Sequence, residues 1–265
     1  MSKATPFDQP GYWSDRFEHE QTFEWLMPWS VLEPHMRALS LLPQDMDSTR
    51  ILNLGCGNST LPLDLHQAGY HHVTSVDFVG SVVQRMKEHC EKAIGWSSPK
   101  TEPEAVDELA ASHLNKAVVA SSSCPLQFLE MDCLDMSSLP ANKFNLCLDK
   151  STSDAIACGD DENSTKIRKL CEQVARVVQP GGIWCVISYS RFRQYEWNDG
   201  GVGHDLWKTE RIESIQVEPP SIGDRSSTQL NPPTGSKPAK GQRSTTEHVV
   251  HVPEVFQYLY VNYRL

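Results

Sequence analysis

The sequence predicts an α/β fold built on one mostly parallel, seven-stranded sheet whose last strand is antiparallel. Three observations support this fold class. From Arg50 onward, short apolar runs of strand length alternate with segments of helical periodicity. A glycine-rich turn at 55–57 leaves the first strand, and acidic residues end the second and third. Two strand-like runs, 206–217 and 255–264, then close the chain as a hairpin.

The earlier elements follow from these apolar runs. Buried strands are predicted over 50–55, 73–78, 126–132, 144–150 and 183–189. Helices are predicted over 59–68, 80–93 and 164–178, because apolar residues recur on one face of each. Asn58 or Ser59 is the expected cap of the first helix, and Gly69 its left-handed stop. Pro180-Gly181-Gly182 is expected to stop the last helix.

The chain length favours one domain. With 265 residues, we expect a single domain over 1–265 whose core comprises 50–217 and 248–265. Two segments, 95–124 and 219–247, lack a core stripe and are rich in polar residues and proline. Such a composition does not offset the entropy cost of ordering, so both are predicted to be flexible insertions.

The charge of the chain bears on its partners. A net charge of −10 and a pI near 5.4 give no reason for binding to nucleic acid, and a basic protein is a more natural partner. The start of the chain is polar, and no apolar run reaches the length of a membrane span. We therefore expect a cytosolic protein that does not interact with membranes, and a monomer.

The eight cysteines do not suggest disulfides or a metal site. Cys56, Cys133, Cys147 and Cys185 lie inside apolar runs, and no Cys-x-x-Cys spacing occurs. Reduced core thiols are therefore expected. The adjacent pair His71-His72 is not expected to bind metal, because neighbours in a strand point in opposite directions.

The turn at 54–59 reads Leu-Gly-Cys-Gly-Asn-Ser and follows the first strand. Gly55 and Gly57 allow a ligand to approach the backbone, and Asp77 at the end of the second strand can accept both ribose hydroxyls. Dinucleotide-binding enzymes share this spacing, so the turn alone leaves the ligand open. Thr60 stands where their third glycine would be, and no second domain remains to hold a nicotinamide substrate. S-adenosylmethionine is therefore the favoured cofactor.

A second acid strengthens this interpretation. Asp132 ends the third strand and is placed to meet an adenine amino group, while Cys133 or its neighbour packs against the ring. The alternative is that Asp132 only caps the next turn and that Asp77 only caps the next helix. Both acids stand at strand ends beside the glycine turn, which is the ligand-binding edge of open α/β sheets.

Several segments together resemble the methyltransferase-like family that includes the lysine methyltransferases of translation elongation factor 1-alpha. They are Tyr12-Trp13-Ser14-Asp15-Arg16-Phe17, Phe23-Glu24-Trp25, 51–59, 73–78 and 148–155. The resemblance covers most of 11–93 and 126–190 and both ends of the final hairpin. It implies the Rossmann-like, seven-stranded class I methyltransferase fold and methylation of protein lysines.

The resemblance also implies roles for individual residues. The segment 11–40 is expected to cover the cofactor, and ring faces near a sulfonium are physically reasonable because they attract cations. The alternative is an N-terminal helix that packs its aromatic stripe on the sheet. The family usually has glycine at Ser151 and an aliphatic residue at Ser153. The candidate cofactor-binding residues are Trp13, Arg16, Phe17, Phe23, Gly55, Gly57, Asn58, Asp77, Phe78, Asp132, Cys133 and Lys150.

The fourth strand ends in abruptly polar text at 148–155, which is predicted to form the mouth of the same cleft. Methyl transfer mainly requires an aligned neutral nucleophile and exclusion of water, so a dedicated base is optional. Asp149 is the candidate for orienting or desolvating an incoming lysine amine. The competing hypothesis is that Asp149 only accepts backbone donors at the strand end.

The leading functional hypothesis is an S-adenosylmethionine-dependent protein-lysine N-methyltransferase that acts on elongation factor 1-alpha or a similar cytosolic protein. One alternative is a methyltransferase for small molecules or natural products. A second is a non-catalytic module that retains the methyltransferase fold, which the intact glycine turn, Asp77 and Asp132 argue against. A nicotinamide oxidoreductase ranks third.

Overall fold

The computed structural model describes residues 6–96, 124–158, 163–193, 201–217 and 255–265. The elements are α1 Pro10–His19, α2 Trp29–Ala38, β1 Arg50–Leu54, α3 Leu61–Gln67, β2 His72–Asp77, α4 Gly80–Ala93, β3 Leu126–Glu130, β4 Phe144–Lys150, α5 Thr152–Ile156, α6 Asn163–Val177, β5 Val178–Ser188, β6 Trp207–Val217 and β7 Val255–Arg264.

The seven strands form one sheet in the order β3-β2-β1-β4-β5-β7-β6. The first five in that order pair in parallel, whereas β7 is antiparallel to both β5 and β6. This confirms the predicted fold class and the terminal hairpin. The strand order reverses between β1 and β4, and open α/β sheets bind ligands outside the strand ends at such a point.

Alternation along the strands divides the core between the two faces of the sheet. In β1, Ile51 faces a cluster that contains side chains of α2, α3 and α4, whereas Leu52 faces a cluster formed with α6. Both faces are therefore covered, which is why the parallel strands are apolar on both sides. The cysteines in these strands are buried and free, as predicted.

The strand β5 differs from its prediction. It begins at Val178, five residues before the expected start, and contains the Pro180-Gly181-Gly182 stretch. Phe144 pairs with Val178 but Leu146 pairs with Ile183, so β5 bulges opposite β4. Gly181 has φ +71, which suits the bulge. The helix α6 ends at Val177, ahead of this stretch and one residue from the predicted end, so the helix stop agrees with the prediction, but the stretch itself belongs to β5.

Two smaller differences concern helices near the glycine turn. The helix α3 begins at Leu61, with Thr60 rather than Asn58 or Ser59 at the cap position. Gly69 has φ +101, which confirms the left-handed stop. The short helix α5 was not predicted, because five residues are too few to display a periodic apolar face.

The N-terminal segment contains two helices. Phe17 of α1 is buried, and α1 packs against α4 beside the sheet.

The predicted insertion 219–247 and the range 248–254 lie outside the described residues. The predicted insertion 95–124 also lies outside them, apart from its ends. The flexibility expected for the two insertions therefore stays a prediction.

Ser151, between β4 and α5, has a left-handed backbone with φ 72. A side chain in this region costs roughly 1 kcal/mol or more, so we expect Ser151→Gly to raise the free energy of unfolding by about 1 kcal/mol. The variant loses only a weak contact, 3.4 Å from Ser151 Oγ to Asp154 Oδ2. Urea denaturation measures the change.

The matched control for this prediction is Ser137→Gly, at an exposed serine that is not among the residues with positive φ. Glycine there adds freedom to the unfolded chain and removes the exposed hydrogen bond of the Ser137 side chain to Asp135, so stability should fall by about 0.5–1 kcal/mol. Equal losses at both positions would contradict a strained backbone at Ser151.

Candidate functional site

A cavity of about 520 Å³ lies at the carboxyl ends of β1, β2 and β4, where the strand order reverses. Its walls come from the glycine turn, the turns after β2 and β3, the start of α5 and the N-terminal segment. Ten of the twelve candidate cofactor-binding residues line it: Trp13, Phe17, Gly55, Gly57, Asn58, Asp77, Phe78, Asp132, Cys133 and Lys150.

The glycine turn is shaped by close packing as well as by its backbone angles. Gly55 and Gly57 have φ +52 and +48, a region that favours glycine. A Cβ on Gly55 would lie 2.2 Å from Thr152 Oγ1, and one on Gly57 would lie 3.2 Å from Cζ of Phe17. The Thr152 hydroxyl in turn donates to the Leu54 carbonyl at 2.9 Å. Both glycines therefore let neighbouring elements close around the cavity.

Asp77 ties this turn to the next helix. Its Oδ2 accepts the N–H of Gly57 at 2.9 Å, and its Oδ1 accepts the N–H of Val79, the cap of α4, at 3.0 Å. Burial raises the pKa of Asp77 although these donors oppose the shift. The capping alternative thus describes one of its contacts. A carboxylate has about four acceptor positions, so Asp77 keeps capacity for ligand hydroxyls.

Asp132 and Cys133 form the wall below β3. Oδ1 of Asp132 accepts the N–H of Leu134 at 2.8 Å, as the capping alternative proposed, while the residue also lines the cavity. Burial raises the pKa of the Cys133 thiol, so this thiol is neutral and presents an apolar surface. The N–H of Met131 donates to the Asp77 carbonyl at 2.8 Å and joins the two turns.

The N-terminal wall is aromatic. The rings of Trp13 and Phe17 are 5.7 Å apart, those of Trp13 and Trp25 are 5.6 Å apart, and those of Phe7 and Trp25 are 6.0 Å apart. All four side chains line the cavity. Trp13 and Phe17 are four residues apart and therefore share one face of α1. The helix packs on the fold and walls the cavity at once, so the two sequence alternatives describe the same element.

Arg16 and Phe23 do not line the cavity, in contrast to the sequence prediction. The Arg16 guanidinium forms a bidentate pair with Glu20 at 2.9 and 3.0 Å and lies 4.5 Å from the Trp25 ring centroid. Phe23 is 39% exposed and packs on Trp25, with the ring centroids 5.1 Å apart. Arg16 directly precedes Phe17 in α1, so its side chain points about 100° around the helix from that of Phe17. Both Arg16 and Phe23 therefore contact the Trp25 ring of the aromatic wall instead of the cavity.

Glu24 was not singled out from the sequence, yet it connects three elements. Its carboxylate accepts the N–H of Thr60 at 2.6 Å, the hydroxyl of Ser59 at 2.9 Å and the ammonium of Lys150. Burial lowers the pKa of Lys150 and the Glu24 charge opposes the shift. Burial alone would raise the pKa of Glu24, but Lys150 and the other donors outweigh it and lower that pKa. The sequence signal that could have identified Glu24 is its position as a charged residue between two aromatic residues, Phe23 and Trp25.

The carboxyl end of α1 is held by two further side chains. Arg85 of α4 donates to the carbonyls of Phe17 and Glu20 at 2.7 and 3.2 Å. Asn58 of the glycine turn donates to the Glu20 carbonyl at 3.0 Å. These donors satisfy carbonyls that the helix itself leaves unpaired. The N-terminal wall is therefore fixed to the turn and to α4.

Asp149 has a different environment from the one expected of a residue that touches substrate. It is fully buried and is not among the residues that line the cavity. Its Oδ1 accepts the N–H groups of Thr152 and Ser153 at 2.9 and 3.1 Å. This geometry matches the alternative of a backbone acceptor at the strand end. Burial raises the pKa of Asp149 to about 7, and the nearby Asp154 charge adds to the shift.

The raised pKa of Asp149 implies that the stability of the protein depends on pH. Its folded pKa is raised, so the native protein binds more protons than the unfolded chain, and the free energy of unfolding falls as the pH rises towards 7. We expect Asp149→Asn to escape this fall. Its stability relative to wild type should improve by on the order of 2 kcal/mol between pH 5 and pH 8, measured by urea denaturation.

Asp135→Asn is the control for this measurement. Asp135 is exposed, and hydrogen bonds from Ser137 lower its pKa, so it is ionised in both states across this range. Its stability difference from wild type should stay constant between the two pH values. A constant difference for Asp149→Asn as well would show that Asp149 does not titrate in this range.

Within the described ranges, no helix is long and apolar enough to cross a membrane. The same residues contain no group of three or more histidine, cysteine, aspartate or glutamate side chains that could hold a metal ion.

Comparison with known proteins identifies relatives among methyltransferases. Methyltransferase srdJ of Neurospora crassa is 32% identical over 191 residues, which cover 71% of this chain and 68% of that protein. The eEF1A lysine and N-terminal methyltransferase homolog of Drosophila melanogaster is 29% identical over 69% of this chain. EEF1A lysine methyltransferase 4 of Mus musculus is 28% identical over 68% of this chain.

The match spans only 22% of the Drosophila protein and 60% of the mouse protein. Among solved structures, the N-methyltransferase NodS from Bradyrhizobium japonicum WM9, in complex with S-adenosyl-l-homocysteine, covers 95% of this chain at 14% identity and a TM-score of 0.47. No protein-family model matches the chain.

The relationship to the Neurospora protein extends over more than two thirds of both chains. It agrees with the seven-stranded sheet and its antiparallel last strand. The chain belongs to the seven-strand, S-adenosylmethionine-dependent methyltransferases, the family that includes the lysine methyltransferases of elongation factor 1-alpha.

Proposed function

We propose that this enzyme transfers a methyl group to a lysine side chain of a basic cytosolic protein, elongation factor 1-alpha or one similar to it. The main observation behind the proposal is that the aromatic N-terminal segment forms a wall of the cavity. This segment is part of the resemblance to the lysine methyltransferases. Relatives named for elongation factor 1-alpha support the acceptor. The net charge of −10 complements a basic partner.

The residues of the cavity fit S-adenosylmethionine, which supplies an electrophilic methyl group on a sulfonium. In this proposal, the free acceptor capacity of Asp77 receives the ribose hydroxyls and Asp132 meets the adenine amino group. The apolar surface of Cys133 packs against the base. The rings of Trp13 and Phe17 face the positive charge, because ring faces attract cations.

Further residues of the candidate set have less direct roles. The glycine turn would lie beneath the cofactor. Asn58 holds the end of α1, and Phe78 and Lys150 complete the walls of the cavity. Arg16 and Phe23 contact the Trp25 ring of the aromatic wall. The polar mouth after β4 is where the acceptor amine would enter. Asp149 contributes by fixing the backbone of Thr152 and Ser153 at this mouth.

For methyl transfer, the protein mainly has to align the acceptor amine with the methyl group and exclude water from the site. Methyl transfer is an in-line displacement, so the lysine amine must arrive neutral, with its lone pair aligned, in a site free of water. The aromatic wall excludes water from one part of the cavity, and the apolar side chains of Ala155 and Ile156 do so at α5. Lys150 is paired with Glu24 and contributes no base, so we propose that solvent at the mouth takes the amine proton.

The test is to incubate the enzyme with radiolabelled S-adenosylmethionine and an extract whose elongation factor 1-alpha is unmethylated. One main labelled band of that protein's size is expected. Asp77→Asn is the negative control and should abolish labelling, because a carboxylate that both binds the turn and faces the cavity is lost. Peptide mapping then identifies the methylated lysine.

Other outcomes of that test favour the alternatives. The name of the Neurospora relative specifies no acceptor, so an acceptor of low molecular weight is the second candidate. Labelled small molecules without any labelled protein would support it. Absence of cofactor binding in calorimetry would instead support a non-catalytic module.

The Glu24 contact predicts a change in cofactor affinity. Glu24→Gln leaves the buried Lys150 ammonium without a counter-charge and weakens the attachment of the aromatic wall. Losing one partner of a largely buried pair costs more than a surface contact. We expect the Kd for S-adenosylmethionine, measured by calorimetry, to rise about 5- to 30-fold, or about 1–2 kcal/mol.

The control is Glu33→Gln, the same change in a pair with Arg37 on the surface of α2. Surface pairs contribute little, so the Kd should stay within about twofold of wild type. An unchanged Kd for Glu24→Gln, with the fold intact by circular dichroism, would contradict the proposed link between Glu24 and the cofactor site.

A further inference from the structure

A second part of the cavity wall is formed by the end of β4 and by α5. Ser151, Thr152, Ala155 and Ile156 line it. The neighbouring strand β5 runs parallel to β4, with Lys150 paired to Ile187, so both strands end at the same edge of the sheet. The residues after Ser188 therefore emerge beside α5, next to the mouth of the cavity.

Two aromatic side chains are exposed at this place. Tyr189 is 54% exposed and Phe192 is 56% exposed, although they follow directly on a buried strand. The Tyr189 hydroxyl lies 3.7 Å from Sγ of Cys158, at the carboxyl end of α5. Tyr189 thus lies beside the helix that carries Ala155 and Ile156, two residues that line the cavity.

A buried carboxylate fixes the loop 188–193 that carries these rings. Oδ1 of Asp154 accepts the hydroxyl of Ser188 at 2.5 Å and Nε of Arg193 at 2.7 Å. Its Oδ2 accepts the N–H of Tyr189 at 3.1 Å. Both charged side chains are less than a tenth exposed. The desolvation cost of such a pair is offset only when its remaining positions are hydrogen-bonded, as they are here.

The loop 188–193 is also held by β7, the strand next to β5. The hydroxyl of Tyr260, on β7, donates to the Ser190 carbonyl at 2.5 Å and accepts the N–H of Arg193 at 3.2 Å. Both ends of the loop and its middle are therefore tied to buried groups. Tyr189 and Phe192 project from a rigid frame, so an occupant would pay little entropy to order them.

We propose that Tyr189 and Phe192 form the docking surface for the polypeptide segment that flanks the methylated lysine of the acceptor protein. The inference rests on the proposed protein-lysine methyltransferase function. A rigid aromatic pair beside the reaction site suits an apolar residue of that segment, since aromatic anchors dominate protein interfaces. The exposed Arg191, 5.1 Å from the Phe192 ring centroid, suits an acidic residue next to it.

The experiment uses steady-state kinetics with purified, unmethylated elongation factor 1-alpha as the acceptor. We expect Tyr189→Ala and Phe192→Ala each to raise the KM for this protein at least about tenfold, within the range of interface hot spots. The kcat should stay within about threefold and the Kd for S-adenosylmethionine within about twofold, because neither ring lines the cavity. Tyr189→Phe keeps the ring and should retain a KM close to wild type.

Ile212→Ala is the matched control, because Ile212 is 43% exposed on β6, at the far edge of the sheet. Its KM should equal that of wild type. If wild type methylates the acceptor and both aromatic variants keep its KM, the docking surface is overturned while the enzyme's function stands. If wild type binds the cofactor but does not methylate this protein, the proposed function fails and the docking surface fails with it.

Discussion

The ion pair between Glu24 and Lys150 joins the N-terminal segment to the end of β4, and both of these parts of the chain form walls of the cavity. Lys150 ends β4 and is almost fully buried, so its ammonium requires a counter-charge that the sheet itself does not supply at this position. Glu24 brings that charge from the N-terminal segment and also accepts donors from Ser59 and Thr60, which follow the glycine turn. The Glu24 carboxylate therefore fixes the aromatic wall to the edge of the sheet. Arg85 and Asn58 hold the other end of that wall at α1.

Around this contact, several residues hold neighbouring elements together and also line the cavity. Asp77 fixes the turn and the start of α4 with the same carboxylate that faces the cavity. Gly55 and Gly57 make room for Thr152 and Phe17 as much as for a ligand. Structural and ligand contacts at these positions are therefore not alternatives. A carboxylate with several lone pairs, or a residue without a Cβ, can meet both demands.

In the proposed function, the strand order assigns the two substrates to different parts of the cavity wall. The ends of β1, β2 and β3, with the N-terminal segment, provide the side that suits the methyl donor. The ends of β4 and β5 provide a second side, where α5 and the loop 188–193 are fixed to one another through Asp154. The antiparallel β7 contributes Tyr260 to this second side. The terminal hairpin therefore does more than complete the sheet, because it stiffens the surface that would meet an acceptor protein.

The sequence alone determined the sheet, the position of the glycine turn, the two acids at strand ends and the shared face of Trp13 and Phe17. Each of these follows from local spacing, since periods of 2 and 3.6 residues and strand-end positions are visible in the text. The tertiary structure decided the rest. It turned Asp149 into the core and Arg16 away from the cavity, placed a bulge in β5, and paired Glu24 with a lysine 126 residues away. Local periodicity encodes which residues are buried, but the partner of a buried charge is set by packing between distant segments.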